Sequence, residues 1–450
     1  MMERFKKLLG NDQRTALMRK NIAASFLVKA WSGLVMLLLV PATLHCLGEY
    51  KNGIWLTISS MLIWIDNLDI GLGNGLRNQL AAQLAHDDTA KARETVSTTF
   101  IMLAVIIIPV MLTAVGLANT TDLYAFLNVD SKEVGDLTNV VVVSIILVSS
   151  TFIFKFIGNF YLGMQLPAVS NLLVTIGQTL ALVATWVVYY TGNGSLMNIA
   201  IVNTAAPLVT YLLAYPYTFH VRYPQLRPSW RLFNKQSVRG LFSVGVKFFV
   251  LQIAGILLFM SSNILISRLL SPAIVTPYQI AYRYYSLVMI LFTIISTPYW
   301  SATTDAWERG DLAWIRHSRR DMNRIMLMMG ALLTVMTLVA TPVYRLWVGS
   351  EVEVPPMLSI LMAVYLFVIL TSMSYSYFLN GVGALTIQLI CTVTAATLFI
   401  PLSCLMVKHV QHDVCSILLT MIAVNLPGLV VNKIQFDKII NLKAHGIWTR

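Results

Sequence analysis

The sequence predicts an all-α polytopic membrane protein of about twelve transmembrane helices, arranged as two pseudo-symmetric six-helix lobes around a central cavity. Three observations carry this expectation: the composition, the spacing of apolar runs, and the distribution of charge between the connections. Of 450 residues, 57% are hydrophobic and only 12% are charged, whereas a soluble domain carries about 25% charged residues. The mean hydropathy is +0.71. One crossing of a bilayer needs about 20 apolar residues, so the chain has material for about a dozen and little length for a separate soluble domain. An ordinary soluble enzyme and a disordered chain are excluded.

Apolar runs of at least about 18 residues between polar breaks place the first six spans at 22–44, 54–75, 96–117, 139–161, 168–190 and 199–219. Six more follow at 244–266, 274–297, 325–347, 357–379, 385–407 and 414–431. The basic start is followed by an apolar stretch too long for a signal-peptide core, which reads as a retained first span. The expected organisation is an N-lobe at 1–219, a polar linker at 220–243, and a C-lobe with its tail at 244–450.

Charge sets the orientation. With the N-terminus in the cytoplasm, 23 Lys and Arg fall on the inner side and 4, Lys51, Lys132, Arg268 and Lys408, on the outer side. Such a bias favours both termini inside. It also accounts for the net charge of +12, so nucleic acid is not expected as a partner. The outer connections are short and carry acids such as Asp122, Asp130 and Glu353. The four cysteines, Cys46, Cys391, Cys404 and Cys415, have no CxxC spacing and read as packing residues rather than a metal or disulfide framework.

The halves echo each other. QLAHDDTAKAR after span 2 and AWERGDLAWIR after span 8 put Asp88 and Arg93 opposite Asp311 and Arg316, each 223 residues apart. Lys29 and Lys247 stand early in spans 1 and 7. Parallel repeats place a substrate cavity between lobes near the midplane, which makes a transporter the leading class.

Ionisable residues inside spans are costly and mark function. The basic candidates are Lys29, Lys155, Lys247 and Arg283, with Arg345 beside Trp347 reading as an interfacial anchor. On a rise of about 1.5 Å per residue, Lys29 and Lys155 lie roughly 10 Å from the inner ends of spans 1 and 4, while Arg283 is near the midplane. An anionic substrate entering from inside would meet these cations. Asp66 and Asp69 share a face of span 2; either they pair with Lys29, or one of them carries a proton or Na⁺ in coupling. Gln178, Gln252 and Asn263 either line the cavity or join helices. The glycines of D-I-G-L-G-N-G at 69–75 follow no strand and precede no Lys-Ser/Thr, so they form a packing or hinge element and not a nucleotide loop. No HExxH, GxSxG or triad-like arrangement is present, no metal site or cofactor is indicated, and an enzyme is not expected.

The segments E-Y-K-N-G-I-W at 49–55, W-I-D-N-L-D-I-G-L-G-N-G-L-R-N at 64–78, Y-Q-I-A-Y-R-Y-Y at 278–285 and T-P-Y-W-S-A-T-T-D-A-W-E-R-G-D at 297–311 resemble those of the bacterial O-antigen and capsule flippases, the Wzx-type polysaccharide transporters. That family sits in the superfamily of multidrug, oligosaccharidyl-lipid and polysaccharide exporters. The resemblance implies movement of an undecaprenyl-pyrophosphate-linked oligosaccharide from the cytoplasmic to the periplasmic leaflet of the bacterial inner membrane by alternating access. It also implies working contact with a polysaccharide polymerase and a chain-length regulator, besides membrane lipids. A multidrug and cation antiporter of the same superfamily is the alternative, and a membrane-embedded glycosyltransferase or polymerase is disfavoured by the short outer loops.

Overall fold

The computed structural model describes residues 13–66, 68, 72–164, 166–235, 237–238, 253 and 261–449. Most of predicted span 7, with Lys247 and Gln252, lies outside the described residues, as do Asp69 and the side chain of Lys29. Among the described residues every regular element is a helix, as a bilayer requires when backbone groups have no water to bond.

The long helix α1, Gln13–Asp66, consists of two arms, 13–47 and 49–66, meeting at Gly48 with φ 69° and ψ 174°. That conformation is open essentially to glycine alone. The chain continues through α2, Leu72–Ala85; α3, Thr89–Thr120; the short α4, Leu123–Leu127; α5, Leu137–Phe154; α6, Phe156–Gly163; α7, Pro167–Tyr190; and α8, Leu196–Pro216. After the linker and a helical stretch at 261–269 come α9, Pro272–Glu308; α10, Leu312–Leu338; α11, Ala340–Val348; α12, Pro356–Val382; α13, Thr386–His409; and α14, Val414–Ile440. Among the described residues ten helical stretches are long and apolar enough to cross a membrane, the first of them, Ala30–Asp66, running from within the first arm of α1 to the end of the second. The protein is therefore a multi-pass membrane protein. Polar residues inside the spans are absorbed locally: the hydroxyls of Thr57, Ser144, Thr204 and Thr420 donate to the carbonyls of Gly53, Val140, Ala200 and Ser416 at 2.7–2.9 Å, which leaves little unpaired polarity to face lipid.

Two spans differ from expectation. Predicted span 9, 325–347, is the end of α10 plus α11: the helix begins at Leu312, because its first four turns carry Arg316, Arg319, Arg320 and Arg324, which form helix well but fail an apolar-run test. Predicted span 2, 54–75, ends as a helix at Asp66, and α2 starts afresh at Leu72.

The chain forms two compact units, one of Met1–Leu47, Leu62–Leu123 and Ser131–Phe249, the other of Gly48–Met61, Tyr124–Asp130 and Val250–Arg450. In the first, α3 packs on α2 and α5, and α8 on α5 and α7. Its centre is aromatic: Phe156 stacks on Phe219 at 5.7 Å, and Tyr161 and Thr218 share a hydrogen bond of 2.9 Å. In the second, α12 packs on α9 and α14, and α13 on α14, around fully buried Tyr278, Tyr285, Tyr365 and Phe378.

The two halves repeat each other in atomic detail. Asp88 caps α3 with φ −84° and ψ 73°, accepting from the Lys91 amide, and Asp311 caps α10 with φ −81° and ψ 71°, accepting from the Trp314 amide. The preceding residues, Asp87 and Gly310, both have positive φ, 56° and 70°. Arg93 then donates from Nε to the Arg227 carbonyl and Arg316 from Nη2 to the Ile440 carbonyl, each at 3.0 Å, so each half ties the start of its third helix to the chain at or just beyond its sixth. Positions 88 and 311, 93 and 316, and the ends Ala85 and Glu308 are all 223 residues apart. Asp88→Ala and Asp311→Ala should each cost about 1 kcal/mol, the usual loss for an aspartate cap. Thermal unfolding of the purified variants should show the two losses equal and additive, because the sites share no partner.

Candidate substrate and coupling site

Asp66 is the last residue of the second arm of α1, and Lys155 stands at the joint between α5 and α6, where the Lys155 amide bonds the Thr151 carbonyl at 2.8 Å and the Gly158 amide bonds the Lys155 carbonyl at 2.9 Å. The second bond spans only three residues, so the helix tightens there at the point where the cation leaves it. The Lys155 ammonium donates to Asp66 Oδ2 at 2.7 Å and to the Asp66 carbonyl at 3.5 Å. The lysine thus neutralises a carboxylate and also faces the negative end of a helix. Their side chains are 40% and 37% exposed, so the pair lines open space instead of being sealed in packing. In a span, such a pair belongs against the bundle interior or a watered cavity.

The described partner of Asp66 is therefore Lys155, where the sequence had offered Lys29. Gln178 joins helices: the Ser32 hydroxyl donates to its Oε1. Asn263 does the same in the second unit, donating to Ser60 Oγ at 2.6 Å while accepting from Gln279 Nε2 at 2.7 Å.

Arg283 lies on α9, half-buried, eleven residues from the start of the helix, about 16 Å along it. Its face is set by the tyrosines beside it. Tyr284 donates to the Met336 carbonyl at 3.1 Å and Tyr285 to Thr337 Oγ1 at 2.9 Å, which bolt α9 to α10. The Tyr278 hydroxyl donates to Ser262 Oγ at 3.1 Å. These bonds fix the rotation of α9 and hence the side to which Arg283 points.

One buried cation escaped the sequence reading. Arg319, which had counted only toward the cytoplasmic charge bias, is 8% exposed. Its guanidinium lies 3.6 Å from the Tyr375 ring centroid and donates to Ser374 Oγ at 3.0 Å. The signal was present: Ile315, Arg319, Met322 and Met326 recur at helical spacing on the buried stripe of α10, and a charge on such a stripe is paired or stacked. Arg319→Ala should cost about 2 kcal/mol through lost stacking and packing. Arg319→Lys should recover less than half of that in thermal unfolding, because an ammonium can neither stack flat nor fork.

Among the described residues no group of three or more His, Cys, Asp or Glu side chains is placed to hold a metal ion.

Compact helical units built from repeated halves, with charged groups retained inside apolar spans, make up the fold of this multi-pass membrane protein. The solved structures that it resembles have that fold. A multidrug resistance MATE family transporter of the MOP superfamily in its inward-facing conformation aligns over 91% of this chain and 95% of its own with a TM-score of 0.78 at 16% identity. An outward-facing conformation of such a transporter aligns over 98% of both chains with a TM-score of 0.64 at 17% identity, and a MATE structure in the straight conformation over 97% of this chain and 98% of its own with a TM-score of 0.61, also at 17% identity. The chain belongs to the polysaccharide biosynthesis protein family, whose model matches residues 18–303. The family resemblance drawn from the sequence motifs is thereby borne out. Among curated proteins no match is found.

Proposed function

We propose that the protein is a flippase that carries an undecaprenyl-pyrophosphate-linked oligosaccharide across the bacterial inner membrane, from the cytoplasmic to the periplasmic leaflet, by alternating access of its two lobes. The observation that carries this reading is a partly exposed Lys155–Asp66 pair inside the spans of a chain that belongs to the polysaccharide biosynthesis family. A pyrophosphate needs cations that are not sealed in packing; Lys155 is partly exposed, and Lys29, Lys247 and Arg283 are the further cations assigned to this role from the sequence. The sugar needs hydrogen bonds and room, and the lipid tail stays in the bilayer.

The pair also supplies a way to couple an ion. With Asp66 ionised, Lys155 is held by it; a proton or Na⁺ on Asp66 weakens that hold and frees the ammonium for a phosphate oxygen. Asp69 stands three residues further on as the second acid of this device.

The test is transbilayer movement of a labelled pyrophosphate-linked oligosaccharide lipid in proteoliposomes, with Lys29→Ala plus Arg283→Ala as the comparison. Movement that depends on the protein and collapses in the double variant supports the reading. Export of cationic dyes against a proton or Na⁺ gradient, with no movement of the lipid, would replace it by a multidrug antiporter; one of the solved structures of this fold is named as a multidrug resistance transporter.

A further inference from the structure

A neutral polar pocket lies inside the second unit where α12, α13 and α14 meet. It encloses about 210 Å³ and is rimmed by Ser372, Ser376, Gln388, Thr392, Asn425 and Asn432, with aliphatic side chains completing the wall. Asn432 is only 3% exposed; its Nδ2 donates to Ser372 Oγ at 3.3 Å and to Ser376 Oγ at 3.5 Å. Its Oδ1 and the Oε1 of Gln388, on two side chains that line the pocket, are buried acceptors to which none of the described residues donates. A buried acceptor without a donor is costly, and two of them around one cavity ask for a ligand that donates.

The lining also selects the ligand. Among the described residues no Lys, Arg, Asp or Glu borders the pocket, so neither a pyrophosphate nor a cationic drug finds a counter-charge there. A bare metal cation would remain uncompensated in a span. What fits is an uncharged group with several hydroxyls and an aliphatic face, about the size of one pyranose ring. We propose that this pocket is a subsite for one neutral sugar ring of the cargo, an inference that rests on the flippase reading above.

Two near-isosteric variants test it, Gln388→Met and Asn432→Leu, in proteoliposomes carrying either of two probes: a fluorescent polyprenyl pyrophosphate bearing an oligosaccharide, or the same lipid pyrophosphate without sugar. Loss of one buried hydrogen bond should slow the sugar-bearing probe about ten-fold in each variant and leave the bare probe unchanged. Equal slowing of both probes, or of neither, overturns the subsite and leaves the flippase standing. If the wild type moves neither probe, the flippase reading itself fails. A second measurement is independent of transport. Cys391 lines the same pocket and is a half-buried free thiol, so in a variant lacking the other three cysteines, soluble oligosaccharide should slow its labelling by a small thiosulfonate, and should no longer do so after Gln388→Met. Labelling indifferent to saturating oligosaccharide overturns the proposal.

Discussion

Gly53→Ala should be among the most damaging single changes in this protein, lowering stability by about 3 kcal/mol or more, the upper range for overpacking. A Cβ at position 53 would run into the carbonyl oxygen and carbon of Pro272, the first residue of α9. A side chain in that place could turn aside, but a backbone carbonyl at a helix start moves only with the helix. The approach is pinned from both sides by polar bonds: Asn52 Nδ2 donates to Thr276 Oγ1 at 3.3 Å, and that hydroxyl donates to the Glu49 carbonyl at 2.8 Å. The stretch around Gly53 therefore cannot slide away without losing both. The control is Gly116→Ala on α3, where a Cβ meets nothing within 4 Å. There the same chemistry should be neutral or stabilise by up to about 1 kcal/mol, because alanine is the better helix former. Thermal unfolding of the two purified variants should differ in sign, and equal behaviour would remove the close backbone contact as the cause.

Such a contact shows where sequence reasoning stops. Apolar length located the spans that the structure describes, since each must satisfy the bilayer, and the 223-residue echo of Asp88 in Asp311 marked two equivalent positions that turn out to be helix caps alike within a few degrees. Ends were harder. The start of α10 is helical and charged, and a hydropathy window sees only the charge. Neighbours across the fold were hardest. Depth along a helix is legible from a rise per residue, and it placed Lys29 and Lys155 at similar depths. It carries no information on which helix stands beside which, and that decided the partner of Asp66. Arg319 was misjudged for a related reason: a count of charges by loop ignores the helical phase that turns this residue inward onto Tyr375. The orphaned acceptors of Gln388 and Asn432 have no one-dimensional signature, because whether an amide finds a partner depends on three helices at once.

Lys155→Met is expected to abolish lipid-linked oligosaccharide movement and to destabilise the fold, and the way these two losses separate tests the coupling device. Removing the cation leaves the Asp66 carboxylate without the partner it holds at 2.7 Å. Breaking a fully buried pair costs about 3–5 kcal/mol. With side chains 40% and 37% exposed, water screens much of that, and about 1–2 kcal/mol is the expected loss. Asp66→Asn in the same chain removes the stranded charge, so the double variant should regain the thermal stability that Lys155→Met lost. It should not regain movement, because the ammonium proposed to bind the phosphate is still absent. Asp66→Asn alone has the opposite signature. Lys155 is then free in every state, so the lipid should bind at least as tightly as in the wild type, while a proton or Na⁺ gradient should no longer accelerate its movement. Stability, binding and gradient response thus respond to different members of one pair. If Asp66→Asn with Asp69→Asn moved the lipid at the wild-type rate and kept its response to the gradient, neither acid would carry the ion, and Lys155–Asp66 would be a strut between two helices.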